Sequence, residues 1–170
     1  DDNVVIGYNA MSGNFTTAVV NDVVAIGSGA LAGTLTADAT GTTVVGTAAG
    51  AAITSGQKNT AVGFGALTAE TDGDFSVAVG YNALAASTGK NGTSANVAVG
   101  YSAGSAITSG SSNTIIGYLA GDAIDTMTDN TAIGAGALGG SSAVDKTVVI
   151  GSGAGAGAMT DAADGAILIG

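Results

Sequence analysis

The sequence contains no cysteine, histidine, tryptophan, proline or arginine. General acid–base and nucleophilic enzymes usually draw on histidine, cysteine, lysine or arginine together with carboxylates. A pair of carboxylates can hydrolyse a glycosidic bond, but no acidic pair recurs here in an apolar setting. The composition therefore predicts a protein that is not an enzyme and holds no cofactor. The lack of cysteine is compatible with an extracellular location.

Positive charge and long apolar runs are also scarce. Three lysines stand against 13 acidic residues, which gives a formal net charge of −10. Such a chain repels phosphate backbones, so we expect no nucleic-acid partner. No apolar run approaches the roughly 18 residues that cross a bilayer, so we expect no membrane insertion in this segment. Hydrophobic residues make up 46% and charged residues only 9%, which argues against disorder and predicts burial between subunits.

Glycine is abundant instead, with 30 residues in 170. The stretch "TAIGAGALGG" satisfies the dinucleotide-binding motif G-x-G-x-x-G between Gly134 and Gly139. However, the same apolar run ending in glycine recurs ten times, and no amphipathic helix follows Gly134. We therefore interpret the shared glycines as architectural. They are Gly7, Gly27, Gly46, Gly63, Gly80, Gly100, Gly117, Gly134, Gly151 and Gly170, spaced by 17 residues or by 19 to 20.

The three residues before each shared glycine predict a strand that is apolar on both faces. The first and third, such as Val97 and Val99, share one face, which we assign to the inside of a coil. The middle residue, such as Ala98, is apolar in all ten copies and lies on the other face. A strand that is apolar on both faces is covered on both faces. The middle residues therefore predict an interface with another copy of the chain.

The residues after the glycine predict a shared interior. The fourth position holds Leu or Met in five copies and Gly in four. Three of those four glycine copies have an isoleucine three residues later: Ile53, Ile107 and Ile124. We interpret this as one core volume filled from either of two positions, since interiors tolerate swaps that conserve volume. Such compensation predicts stacked coils.

Each period is expected to hold a strand of four or five residues, a glycine bend, a short second strand and a polar loop. The predicted fold class is all-β, a parallel β-solenoid with coils of about 17 residues. Residues 1–170 would form a single repeat domain of about ten coils, part of a longer fibre. An asparagine before the strand predicts a stacked amide ladder at one corner. It is present in five copies: Asn3, Asn59, Asn96, Asn113 and Asn130.

Four repeats, "NTAVGFGAL" (59–67), "NVAVGYSAG" (96–104), "NTIIGYLAG" (113–121) and "NTAIGAGAL" (130–138), carry a resemblance to a known family. They resemble the YadA-like head repeat of trimeric autotransporter adhesins and related repeats of bacteriophage tail fibres. The resemblance covers essentially the whole chain. It implies a left-handed β-roll, an intertwined or side-by-side homotrimer, and an extracellular role in host or surface adhesion or as a rigid spacer. The period is longer than in the adhesin heads, which favours a tail fibre.

Three alternatives stay open. The chain could belong to a bacterial trimeric autotransporter adhesin head, or to a surface filament that assembles end to end. An ice-binding solenoid is the third, and it needs a flat, regular threonine array. The threonines of the strands lie at the first strand position, which we assign to the interior, so the pattern disfavours this class. They are Thr43, Thr60, Thr114 and Thr131.

An aromatic residue follows the shared glycine in five copies, and these residues include all four tyrosines. Four of the copies are consecutive, so coil stacking predicts an aromatic ladder of Phe64, Tyr81, Tyr101 and Tyr118. This ladder and the long loop with Lys90 are the candidate contacts for a cell-surface glycan or protein receptor. The alternative is structural stacking that supports the bend, with the hydroxyls reaching water.

Acidic residues cluster in three loops. Ca²⁺ binds oxygen ligands, and the candidates for such a site are Asp72, Asp74, Asp122 and Asp125. Neither an EF-hand loop nor the glycine–aspartate nonapeptide repeat is present. The sequence therefore favours solvated loop charge that keeps an apolar fibre from aggregating, and we expect no bound metal.

Overall fold

The computed structural model describes residues 2–13, 20–36, 39–89, 92–140, 144–157 and 159–170. Ten strands form one parallel sheet in which each strand pairs with the next along the chain. They are β1 (Val4–Ile6), β2 (Val24–Ile26), β3 (Thr43–Val45), β4 (Thr60–Val62), β5 (Val77–Val79), β6 (Val97–Val99), β7 (Thr114–Ile116), β8 (Thr131–Ile133), β9 (Val148–Ile150) and β10 (Ile167–Ile169). One 3-10 helix, Asp161–Ala163, precedes β10. The predicted all-β parallel solenoid is confirmed, with about nine turns.

The register between strands follows the sequence repeat. Val97 of β6 pairs with Thr114 of β7, and Thr114 pairs with Thr131 of β8. Longer steps, such as Val77 to Val97, carry their extra residues in a loop. Successive strands of a sheet lie about 4.8 Å apart, so residues at equivalent positions stack into columns along the coil axis.

The strand faces are the reverse of the sequence prediction. The middle residues of β2 to β9 are fully buried within the single chain, as Ala98 shows. The first and third residues point outward, and Val99 keeps 37% of its surface exposed. The coil interior is narrow, because a Cβ added at Gly121 would lie 3.1 Å from the Ile115 side chain. Assigning Val97 and Val99 to the interior, and Ala98 to an intersubunit face, is therefore wrong.

The shared glycines bring the backbones of successive coils into contact. Gly134 has a φ of +133°, and a Cβ added there would lie 2.5 Å from the carbonyl oxygen of Gly151 in the next coil. An L-residue would meet both a disfavoured φ and a backbone clash. The residues that follow form turns and not a helix. The architectural interpretation is confirmed for the nine shared glycines from Gly7 to Gly151, each of which lies against the backbone of the next coil.

The predicted second strand is wrong, and the first strand is three residues long. Residues 64–69 form turns in which Gly65 (φ +64°) and Leu67 (φ +52°) adopt the left-handed conformation. Alternate left-handed residues do not fit an extended strand. Hydrogen bonds between coils nevertheless continue here, as from the Leu67 N–H to the Ala83 carbonyl at 3.1 Å. The left-handed backbone explains why Gly and Asn recur two residues after the shared glycine.

The core volume filled from two positions is confirmed. Leu67 and Leu84 are fully buried, and so are Ile53 and Ile107 in coils that have glycine at the leucine position. A Cβ added at Gly104 would lie 3.0 Å from Cδ1 of Ile107. The isoleucine side chain therefore fills the space that leucine fills in other coils.

The asparagine corner is also confirmed. Asn59, Asn96, Asn113 and Asn130 are buried. The side-chain oxygen of Asn113 accepts from the backbone N–H of Asn130 at 3.0 Å, and its Nδ2 donates to the Met127 carbonyl at 2.8 Å. Each amide thus satisfies backbone groups of a neighbouring coil and a loop, as buried polar groups require.

Candidate functional site

The predicted aromatic ladder is present. Ring centroids are 5.3 Å apart between Phe64 and Tyr81, 5.1 Å between Tyr81 and Tyr101, and 5.3 Å between Tyr101 and Tyr118. The corresponding interplanar angles are 9°, 7° and 20°. The rings form a column because the in-register parallel sheet repeats the position after the shared glycine from coil to coil.

Stacking decides which ring surfaces can meet a ligand. Tyr81 and Tyr101 keep 45% and 48% of their surface exposed. Because each inner ring face covers a neighbouring ring, the exposed parts are ring edges and hydroxyl groups. Within the ladder, only the outer faces of Phe64 and Tyr118, at the two ends, are not covered by another ring of the column. The ladder therefore presents an edge lined with hydroxyls and not a series of aromatic platforms.

The second predicted receptor contact, Lys90, lies outside the described residues. The loop that carries it is anchored through Ser87, whose hydroxyl donates to Oε2 of Glu70 at 2.7 Å. The Glu70 side chain is fully buried, and its Oε1 accepts from the backbone N–H groups of Gly73 at 2.8 Å and Thr71 at 3.1 Å. Three hydrogen bonds thus compensate the burial of this carboxylate.

Sequence reasoning missed Glu70 because the residue stands close to the acidic loop residues Asp72 and Asp74. Its place in the repeat, seven residues after the shared glycine, is held by Ile53 and Ile107 in other coils. Ser87 holds the same place in the next coil and is also buried. Repeat position was the available signal, since a carboxylate at a core position must find hydrogen-bond donors. The hydrogen bond from Ser87 to Glu70 therefore links two neighbouring coils.

The candidate Ca²⁺ ligands lie in two loops, three coils apart. Oδ1 of Asp74 accepts from the backbone N–H of Gln57 at 2.8 Å, and Oδ1 of Asp125 accepts from the Thr108 hydroxyl. Within the described residues, no three acidic side chains form a group that could hold a metal ion. The structure does not bring the predicted ligands into one site: Asp72, Asp74, Asp122 and Asp125.

A second surface feature is the outer strand face, which consists of the first and third residues of all ten strands. The first column contains Val4, Val24, Thr43, Thr60, Val77, Val97, Thr114, Thr131, Val148 and Ile167. The third column contains Ile6, Ile26, Val45, Val62, Val79, Val99, Ile116, Ile133, Ile150 and Ile169. Every member is Val, Ile or Thr, and none is charged. Large exposed apolar surfaces of this kind mark interaction sites.

The threonines of the strands belong to this outer strand face. The sequence prediction places them inside the coil, but they stand in the first column, and their side chains are partly exposed. The prediction is wrong for the same reason as the assignment of the valines. A hydroxyl at this position keeps contact with water, whereas the fully buried middle position holds only Ala, Val or Ile in β2 to β9.

Charge is kept away from both the outer strand face and the aromatic ladder. All 13 acidic residues and the three lysines lie outside the strands and outside the four residues that follow each shared glycine. Among the described residues, the Lys58 ammonium lies 5.2 Å from the centroid of the Phe75 ring, a cation–π distance. The loops therefore carry the net negative charge of the coil.

Within the part of the chain that the structure describes, no helix has the length and apolar character that a membrane span needs. Comparison of the chain with protein-family models, with curated proteins and with solved structures gives no match in any of the three. Function is therefore inferred from the repeat and from the surfaces that it creates.

Proposed function

We propose that this chain is a structural segment of an extracellular, homotrimeric attachment fibre, in which it serves as a rigid rod and as a surface for adhesion. The observation that supports this proposal is the outer strand face. Twenty β-branched residues in two columns, without a single charge, run along the whole sheet. An apolar face of this length is more stable when it is buried against protein than when it is exposed to water.

The energetics favour association of several copies through this face. Val62, Val99 and Ile116 each keep 36 to 38% of their surface exposed. Burying that remainder contributes on the order of 1 kcal/mol per residue. Summed over the third residues of ten strands, the gain is on the order of 10 kcal/mol, which is comparable to the estimated association cost of about 4–15 kcal/mol. A second copy is the partner whose strip has the same length and the same lack of charge.

A three-fold arrangement suits the shape of the outer strand face. Strands of three residues make a strip about 10 Å wide, and ten strands make it about 43 Å long. Three such strips around one axis enclose an apolar interior and leave every charged loop outside, where like charges are farthest apart and screened by salt. The number three comes from the resemblance to trimeric head repeats, and the apolar strip supports self-association.

Adhesion would use the surface that stays outside the trimer, and the aromatic ladder is its candidate. The exposed ring edges and hydroxyls of Tyr81 and Tyr101 can contact a glycan or protein receptor. In a trimer the ladder occurs three times, so weak single contacts would add up to firm binding. The long loop with Lys90 is the second candidate contact.

The experiment compares two double variants for binding to cells and to immobilised glycans. Tyr81→Ala with Tyr101→Ala removes both rings, and Tyr81→Phe with Tyr101→Phe keeps the stack but removes the hydroxyls. We expect the alanine pair to lose binding with unchanged melting. Intact binding with lowered melting would contradict an adhesive ladder and make this segment a spacer. The phenylalanine pair then tells whether hydroxyls or ring edges make the contact.

An ice-binding solenoid is the second candidate, because Thr43, Thr60, Thr114 and Thr131 face outward in the first column, which they share with valines. Ice would have to occupy the same outer strand face that the trimer buries, so the two functions exclude each other. Thermal hysteresis together with a monomeric mass would support ice binding. A fibre segment is expected to show no thermal hysteresis.

A further inference from the structure

The tyrosines of the aromatic ladder have a chemical property that neither adhesion nor assembly uses. We propose that Tyr81, Tyr101 and Tyr118 form a site of oxidative cross-linking, at which neighbouring coils of one chain are joined by dityrosine. The relevant observation is the geometry of the column: centroids 5.1 Å and 5.3 Å apart, and planes inclined by 7° and 20°.

This arrangement favours coupling between rings of the same chain. Tyr81 and Tyr101 follow equivalent positions of two in-register strands, and their rings stack nearly parallel, so equivalent ring atoms lie side by side. Both rings are about half exposed, and Tyr118 is 58% exposed. An oxidant therefore reaches the phenols. The fixed spacing holds two phenols together at a high effective concentration.

The reaction balances with hydrogen peroxide as the oxidant and a peroxidase as the catalyst. Each phenol loses one electron and one proton to give a phenoxyl radical. The two radicals join through the carbons ortho to their oxygens, forming one C–C bond. Each of those carbons then releases its proton to a phenolate oxygen through solvent, which restores both aromatic rings. Overall, two phenols and one peroxide yield one dityrosine and two waters.

The composition directs oxidation to this site. The chain has no cysteine, histidine or tryptophan, so tyrosine and the three methionines are its main oxidisable side chains. Tyr8 is the one tyrosine outside the ladder, and Ser28 occupies the equivalent position in the next coil. Coupling within the ladder would close loops of 17 or 20 residues with a covalent bond. Such a bond restrains the unfolded chain in the way a disulfide does.

The test treats the purified chain with peroxidase and hydrogen peroxide at low protein concentration. We expect the blue fluorescence of dityrosine, a mass loss of two hydrogens per cross-link, and an unchanged chain size on a denaturing gel. Trypsin cuts after Lys90, so a Tyr81–Tyr101 product joins two tryptic peptides. Tyr101→Phe keeps the stack but separates the remaining tyrosines by two coils, and we expect loss of the intrachain product.

Tyr8→Phe is the matched control, and it should leave the yield of intrachain product unchanged. Failure of the wild-type chain to form dityrosine, under conditions that couple free tyrosine, would overturn the proposal. Products that join separate chains only, or an intrachain product that survives Tyr101→Phe, would also overturn it. Circular dichroism of each variant before oxidation shows that the solenoid is intact.

Discussion

Asn113 donates twice to the side-chain oxygen of Asn96 in the preceding coil, from its backbone N–H at 3.0 Å and from Nδ2 at 3.1 Å. Its own side-chain oxygen accepts from the backbone N–H of Asn130. All three side chains are buried. The corner of the solenoid is therefore a continuous hydrogen-bonded column, in which each amide orders the coil that follows.

Replacing Asn113 by alanine should destabilise the solenoid. The change leaves the Asn130 N–H and the Met127 carbonyl buried without this partner, which costs about 2–4 kcal/mol in total. Asn113→Thr should cost less, because Thr147 holds the equivalent place and bonds to Asn130 Oδ1 at 2.7 Å. Urea denaturation measures both. Equal stability of Asn113→Ala and the wild type would contradict a structural corner.

Two glycines of one motif should differ widely in the stability that they lose on replacement by alanine. Gly134→Ala places a Cβ 2.5 Å from the Gly151 carbonyl oxygen at a φ of +133°, so we expect a loss of more than about 3 kcal/mol. A Cβ added at Gly136 (φ +64°) has no neighbour within 4 Å, and an alanine, Ala48, already occupies the equivalent left-handed position of another coil. Gly136→Ala should therefore cost at most about 1 kcal/mol. Thermal melting compares them. Similar melting temperatures would refute the account of the shared glycines.

Because Gly104 and Ile107 share one core volume, a larger residue at position 104 should compensate for the loss of the isoleucine side chain at position 107. Ile107→Ala empties a fully buried position and should cost about 2–5 kcal/mol. Adding Gly104→Leu should recover most of this loss, because the backbone of Gly104 (φ +58°) matches that of Leu67 (φ +52°). Gly104→Leu alone should destabilise, since its Cβ approaches Ile107 and Leu84 at 3.0 and 3.1 Å. Additive effects in this double-mutant cycle would contradict the shared volume.

The sequence predicts those parts of the fold that depend on repetition. The 17-residue step, the shared glycines, the aromatic ladder and the leucine–isoleucine exchange all appear as columns once the copies are aligned. Parallel in-register stacking converts equal positions in sequence into neighbours in space. Phe64 and Tyr81 could therefore be placed together before any strand was located.

The sequence does not show which strand face lies inside, because both faces are apolar and the strands are only three residues long. Side-chain size held the available signal: Ala98 is small at the middle position, and Val97 and Val99 are larger. A narrow coil takes small residues inside. Glu70 escaped prediction for a different reason, since only the repeat position distinguishes a buried carboxylate from a solvated one.

The corrected strand faces change which substitution should break assembly. Val99→Asp puts a carboxylate on the outer strand face, where burial against another copy would cost several kcal/mol. We expect dissociation with the strands retained. Val99→Thr should keep assembly, because Thr is already a member of this face. Ala98→Asp should instead unfold the coil itself, because Ala98 is fully buried within one chain.

Sedimentation equilibrium of the wild-type chain tests the trimer most directly. The account predicts a species of about three times the 15.8 kDa chain mass, and a single-chain mass for a folded Val99→Asp variant. A wild-type protein that sediments at 15.8 kDa in dilute solution, with its β-sheet circular dichroism intact, would contradict the claim that the outer strand face is an intersubunit surface.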